Sequence, residues 1–417
     1  MMQTAATLTP IAPLKKQSQR IQVIDMLRGF ALFGIILNHS AMNFLAGMSP
    51  PEYARYNMIA PVDEVLNMLS MLLTFGKFYT IFSFLFGLSF AIQLQQAMTK
   101  DTVFTGRFIW RLVILFLIGY VHNLFFSGDI LVIYACLGLV LVVARKLNNK
   151  MLLIISAVLV LNIPLQLQRA YELVVPPVPL SKTQQEAQIK KMNQQALREF
   201  KTKLAGNASE LVRLNAATGL QSKYEFQKAT GRLWITAGLF LLGLYAGRKK
   251  IFEQTPQNRR FFRKLCLWGG VVALASTAAA LLIFTTGMAA KPVFGFLGSM
   301  AFDTQQIALS AFYVAGVVLL YWGIKGRKVL QPLVPLGQMG LTIYLLQTLF
   351  GLMLFYGIGF GMLNKIGVAA AMGYGALFFI FQVLIAKWWL TYFRMGPVEW
   401  LWRSLTYLKV QPLRKQF

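Results

Sequence analysis

Apolar stretches of membrane-crossing length recur along most of this 417-residue chain, and that recurrence decides what it can fold into. A helix needs about 20 mostly apolar residues to cross a hydrocarbon core roughly 30 Å thick. Inside lipid each segment must also satisfy its own backbone polar groups, which leaves the helix as the form a single apolar stretch takes. The stretches fall near residues 24–45, 68–93, 107–126, 129–145, 151–168, 231–247, 264–286, 304–323, 336–357 and 369–393. The expected fold is all-α, a polytopic membrane helix bundle with about ten transmembrane helices. The second span has two readings at its start. Residues 62–75 form either an interfacial helix before Gly76-Lys77 or the extension of a long tilted span.

Composition agrees, with 57% hydrophobic and 13% charged residues, against about 25% charged in a soluble globular chain. A net charge of +27 would suggest nucleic acid in a soluble protein. Here Lys and Arg gather at the ends of apolar spans, and no basic patch with interleaved aromatics stands clear of them. Membrane lipids are therefore the expected partners and nucleic acid is excluded. The clusters alternate: Arg145, Lys146 and Lys150 follow the fourth span and Arg248, Lys249 and Lys250 the sixth, whereas Lys291 and Lys365 stand alone after the seventh and ninth. The positive-inside rule then places both termini in the cytoplasm of a multi-pass protein of the cytoplasmic membrane.

Five regions follow: a disordered basic tail over 1–22, helices 1–5 over 23–168, an extracytoplasmic loop over 169–230, helices 6–10 over 231–393, and a basic cytoplasmic tail over 394–417. In the loop, Ile189, Met192, Ala196 and Phe200 recur at helical spacing, which reads as amphipathic helices on the outer surface, a lid or a solvated spacer. Cys136 and Cys266 lie in apolar runs, where a thiol behaves as a small hydrophobe, so neither a disulfide framework nor a cysteine metal site is expected. No carboxylate cluster suits a metal.

The polar residues of the first span are the candidates for chemistry, because an ionisable group in lipid is costly and marks function by default. Asp25-Met26-Leu27-Arg28-Gly29 opens the span and Asn38-His39 closes it. At about 100° per residue Arg28 and His39 share nearly one face, and the rise from Asp25 to His39 is roughly 21 Å. In the third span Arg111 and His122 repeat the Arg28–His39 interval, and Asp129 opens the fourth after a Ser127-Gly128 turn. Both histidines and Asp129 then gather toward the outer side, where a carboxylate can fix an imidazole as a general base. Arg28 and Arg111 would meet phosphates through bidentate hydrogen bonds at the inner side. The plainer readings are histidines satisfied by backbone carbonyls and, for Arg107 above all, snorkelling arginines. Gly340, Tyr344, Gln347 and Gly351 share a face of the ninth span; with Gln382, Asp303, Gln305 and Gln306 they suit helix packing.

Several stretches carry a resemblance: Asp25 to Gly34 (DMLRGFALFG), Phe78 to Gly87 (FYTIFSFLFG), Gly128 to Ala135 (GDILVIYA), Gly340 to Thr348 (GLTIYLLQT) and Gly396 to Tyr407 (GPVEWLWRSLTY). On these the chain resembles the bacterial DUF418 membrane-protein family, which includes the YeiB-like proteins. The resemblance implies a bacterial inner-membrane location and a distant relation to the transmembrane acyltransferases, among them the acyltransferase-3 proteins and a heparan acetyltransferase. Acyltransferase-3 proteins have a similar Asp-x-Leu-Arg start and a catalytic histidine at the end of the same helix. Carried over, this implies Asp25 and Arg28 at the donor and His39 as general base; Arg111 joins the donor side, and His122 and Asp129 aid the base, on the residues alone. The donor would be acyl-CoA or a similar acyl donor with no tightly bound cofactor, and the acceptor an envelope glycan or lipid. The alternatives are a transporter or channel for a small solute or lipid and a non-catalytic envelope protein; an oligomer stays open.

Overall fold

A computed structural model describes residues 21–44, 53, 61–98, 104–176 and 178–416. Apart from Ile21 and Gln22, the expected N-terminal tail lies outside the described residues. Helices dominate, and no strand forms among the described residues beyond one isolated bridge between Phe393 and Arg414.

The first half runs α1 (Gln22–Asn38), α2 (Val62–Leu73), α3 (Phe78–Met98), α4 (Phe104–Phe125), α5 (Leu131–Ala144), α6 (Asn149–Val160) and α7 (Ile163–Val174). The intervening segment forms α8 (Lys182–Ala205), α9 (Ala208–Leu214) and α10 (Leu220–Ala229). The second half has α11 (Arg232–Arg248), α12 (Pro256–Thr285), α13 (Pro292–Tyr321), α14 (Ile324–Leu330), α15 (Leu333–Gln338), α16 (Gly340–Phe355), α17 (Val368–Tyr392) and α18 (Pro397–Tyr407). Each expected apolar span is thus helical. Among the described residues six helices are long and apolar enough to cross a membrane, or up to eight if two bent pairs each count as one span. The pairs are α6 with α7, bent by 46°, and α9–α10 with α11, bent by 76°. α5 and α16 are apolar but shorter. Residues 62–98 read as one long span with a turn at 74–77 between α2 and α3.

Position in the bundle follows from how apolar residues are distributed round each helix. α1 buries Leu27, Leu32 and Ile36 completely, together with Asp25, as an all-round apolar helix does when enclosed by others. Two glycines let short α15 press against it: a Cβ at Gly29 would strike the Leu333 carbonyl, and one at Gly337 would strike the Asp25 carbonyl. Gln347 of α16 donates to the Leu32 carbonyl at 3.1 Å and to Gln382 of α17 at 3.2 Å, joining three helices in the core. In contrast α12 and α17 leave Trp268, Leu274, Leu377 and Leu384 exposed, the outward face expected of helices against lipid. Cys136 is also exposed, and neither cysteine is bonded.

The two bends meet. Asn162 takes a left-handed conformation at the start of α7 (φ 55°), as does Gly231 at the start of α11 (φ 65°). The Asn162 amide donates to the Thr230 carbonyl at 3.3 Å and to Asp303 at 3.2 Å. Any side chain at Gly231 would collide with Asn162. The side chain at one break therefore supplies a partner for a backbone carbonyl freed at the other.

Candidate functional site

A cavity of about 1060 Å³ runs through the bundle, with Asp25, Arg28 and Arg111 on its wall at one end and His39 and Asp129 at the other. Five of the six residues singled out in the sequence line it.

At the first end Arg28 bonds Asp25 at 2.7 Å, one helical turn away, and donates to Ser89 of α3 at 2.5 Å. Arg111 of α4 donates to Gln93 at 3.2 Å and stacks over the Trp402 ring at 4.0 Å. The Trp402 indole in turn donates to the Arg111 carbonyl at 3.0 Å. The arginines of α1 and α4 thus face one space, as the shared interval suggested. Arg107 lies over Tyr407 at 5.1 Å. This end also holds Glu399, to which the sequence reading gave no role. Its carboxylate accepts from the Leu341 and Thr342 backbone N–H groups at 2.6 and 3.0 Å and from the Thr342 hydroxyl at 2.5 Å. It thereby caps the N-terminus of α16, where an anion is favoured. Burial nevertheless pushes its acid up from the ordinary carboxylate value, with the Thr342 and backbone bonds pulling the other way.

At the other end α1 passes into a π-helical turn over His39–Asn43, closed by a bond from the Phe44 N–H to the His39 carbonyl at 2.8 Å. Such turns occur often at functional sites. The His39 ring packs against Phe126, Phe44 and Tyr344 at centroid distances of 5.2, 5.6 and 6.3 Å. Its Nδ1 is buried with no hydrogen-bond partner among the described residues. A buried nitrogen left unpaired costs about 1–3 kcal/mol, so a group that arrives to meet this imidazole is favoured.

His122 packs on Phe126 and Tyr344, the rings that His39 also meets. It does not line the cavity but sits behind Asp129, with Nδ1 at 2.8 Å from the carboxylate and Nε2 at 2.8 Å from the Thr348 hydroxyl. A carboxylate only accepts, so Nδ1 donates to Asp129 while Nε2 bonds the Thr348 hydroxyl. The order hydroxyl, imidazole, carboxylate matches a hydrolase triad, yet it is the carboxylate that meets the cavity. The chain therefore holds Asp129 in place. Asp129 also accepts from the Val132 N–H at 3.2 Å and faces Lys223 at 3.5 Å, and Lys223 donates to Asn123 at 2.7 Å.

Lys223 and Arg232 were missed by sequence reasoning. Both line the cavity. α10 lies inside the expected outer loop, and nothing local to Lys223 tells that it packs inward. Among the described residues no group of three His, Cys, Asp or Glu side chains could hold a metal ion.

Comparison with known proteins gives a family match over part of the chain and no activity. Residues 246–409 match the DUF418 family, described as a protein of unknown function. The chain is 28% identical over 417 residues to the uncharacterized protein YxaH of Bacillus subtilis (strain 168), covering 96% of this chain and 97% of the relative. It is 26% identical over 404 residues to an uncharacterized 39.9 kDa protein in the amylase 3′ region of Bacillus acidopullulyticus, covering 95% and 96%. To the uncharacterized protein YeiB of Escherichia coli (strain K12) it is 28% identical over 396 residues, covering 93% and 96%. No solved structure matches it. The matched region, α12 to α18 with the last residues of α11, supplies Tyr344, Glu399 and Trp402 to the cavity wall.

Proposed function

We propose that this DUF418 membrane protein transfers an acyl group from a cytoplasmic donor to an acceptor at the opposite face of the bilayer. The observation that carries the reading is one cavity that touches an arginine pair at one end and, at the other, an imidazole whose Nδ1 has no partner among the described residues. Its volume of about 1060 Å³ stands at the upper end of the roughly 300–1,000 Å³ usual for small-molecule sites, as suits a long donor meeting a second substrate. In this reading the alternation of basic clusters puts both termini and the Asp25 end on the cytoplasmic side of the bacterial inner membrane.

In this reading Arg28 and Arg111 hold the phosphates of an acyl-CoA-type thioester. His39 accepts the proton of an acceptor hydroxyl as that oxygen attacks the acyl carbon. The new C–O bond forms, the C–S bond breaks, and the proton passes to the departing thiolate. Asp129, held by His122 and Thr348, supplies negative charge that stabilises a protonated His39. Full-length protein in detergent, given radiolabelled acetyl-CoA, should hydrolyse or transfer the acyl group, and His39→Ala should lower the rate by about 10²–10⁴-fold, the range of a general base. Unchanged activity in His39→Ala would exclude this mechanism.

The meeting of two bent helix pairs favours a second reading, since discontinuous helices line solute pathways in transporters. His39-dependent flux into liposomes with no covalent product would select it.

A further inference from the structure

The His39 end of the cavity has an unbalanced cation. The Arg232 guanidinium lies among three aromatic rings, Phe75, Tyr79 and Phe226, at 4.6, 4.7 and 4.9 Å. Among the described residues no hydrogen bond or ion pair engages it. Asp303, the carboxylate whose field reaches it, is already bound by Arg169 at 3.0 Å and by the Gln166 and Asn162 amides at 2.9 and 3.2 Å. Lys223, the other cation at this end, is answered by Asp129 and Asn123. Arg232 therefore lines the cavity among three rings, with no hydrogen bond from its donors among the described residues.

Its place relative to His39 follows from the chain. Phe75 and Tyr79 flank the turn that starts α3, and Thr74 in that turn donates to Asn38, the neighbour of His39, at 3.4 Å. On α10 the same wall carries Gln227, whose Oε1 is buried without a partner among the described residues. One end of one cavity thus presents a planar fork of donors, a lone acceptor and an imidazole. A small neutral solute would leave the fork unmatched in a desolvated site, and a cation would be repelled by it. An oxyanion meets it with parallel charge-assisted hydrogen bonds, and an adjacent hydroxyl on the same molecule meets Gln227 or His39.

We infer that the acceptor is a hydroxyl compound bearing an oxyanion, phosphate or carboxylate, and that Arg232 is the residue that anchors it. The acceptor role rests on the acyl-transfer reading, whereas the anion site does not, so the test measures binding with no acyl donor present. Full-length protein in phosphatidylcholine nanodiscs is titrated calorimetrically with glycerol 3-phosphate, glycerate and glycerol. A parallel set of nanodiscs containing phosphatidylglycerol is analysed by native mass spectrometry for retained lipid, which separates a headgroup from a free anion. The expected result is that at least one anionic probe binds and glycerol does not. Arg232→Gln should weaken that binding about tenfold or more, since a hydrogen bond to a charged group contributes about 1.5–3 kcal/mol and each 1.4 kcal/mol is tenfold. Arg232→Lys keeps the charge and loses the fork, so its affinity should fall at least about threefold with an unchanged melting temperature. That variant carries the test if the glutamine variant fails to fold. The inference is overturned if neither free nor lipid-borne anion binds the wild type, if glycerol binds equally well, or if the folded Arg232 variants bind as the wild type does. Loss of transfer in His39→Ala with anion binding intact separates the two proposals.

Discussion

Replacing Glu399 by Ala tests whether the Arg28 end of the cavity is held together by one side chain. Three donors converge on that carboxylate, two of them backbone N–H groups in the first turn of α16. Removing it leaves those N–H groups with no helical partner. A lost cap costs about 1 kcal/mol and a hydrogen bond to a charged group about 1.5–3 kcal/mol. Because the site lies on the cavity wall, water can replace part of what is lost, which sets the expected total at about 2–4 kcal/mol. The unfolding entropy of about 2.1 cal/mol/K per residue, applied to a chain of 417 residues, converts each kcal/mol to about 1 °C. The tryptophan-fluorescence melt of Glu399→Ala in detergent should therefore begin about 2–4 °C below the wild type. Glu399→Gln, which keeps the shape and one acceptor, should lose about half of that. A second arm uses pH. The folded acid is raised above its ordinary 4.5 by burial, so the folded state binds this proton more tightly than the unfolded chain. Its contribution is full below about pH 4.5 and is lost as the pH rises through the folded value. The advantage of the wild type over the non-titrating Glu399→Gln should thus shrink from pH 4 to pH 8. An alanine variant that melts with the wild type would refute the capping account, and a gap that widens with pH would refute the dominance of burial over the cap's hydrogen bonds.

Three further outcomes follow from the geometry. Asp129→Asn strands Lys223 and takes away the charged acceptor of His122; with both side chains buried, it should destabilise by about 3–5 kcal/mol, and in a double-mutant cycle of melting curves Asp129→Asn with Lys223→Met should cost less than the sum of the single changes. Gly337→Ala forces α15 away from the Asp25 carbonyl and should destabilise by about 1–3 kcal/mol. Gly373→Ala, where a Cβ meets nothing within 4 Å, should instead be neutral or stabilising by up to about 1 kcal/mol, and equal melting of the two alanine variants would show that the close approach is not required.

What could be read from the sequence and what could not divide along the range of the physics involved. Helix existence is local: an apolar run in lipid has one backbone solution, so every expected span is a helix. The Arg28–His39 face is local too, because α1 continues unbroken from Gln22 to Asn38 and helical periodicity can be carried across that length. Crossing is less local. Hydropathy merges 151–168 into one span, whereas the chain turns left-handed at Asn162 and restarts with Pro164 in the first turn of α7; that proline in an Asn-Ile-Pro run was a helix-start signal available in the sequence. The 14 residues of α5 and 16 of α16 are also shorter than the about 20 a bilayer core needs. Least local is the site. His122, His39 and Asp129 lie toward one side by helix position alone, but that Asp129 and not His122 lines the cavity depends on packing that includes Thr348, 226 positions away from His122. Lys223, Arg232 and Glu399 reach the cavity only because α10, α11 and α18 fold against helices distant in the chain. A basic residue beside an apolar run has the same sequence signature whether it snorkels or stands unpaired on a cavity wall. The difference lies in whether three aromatic rings from two other segments surround it, and for Arg232 they do.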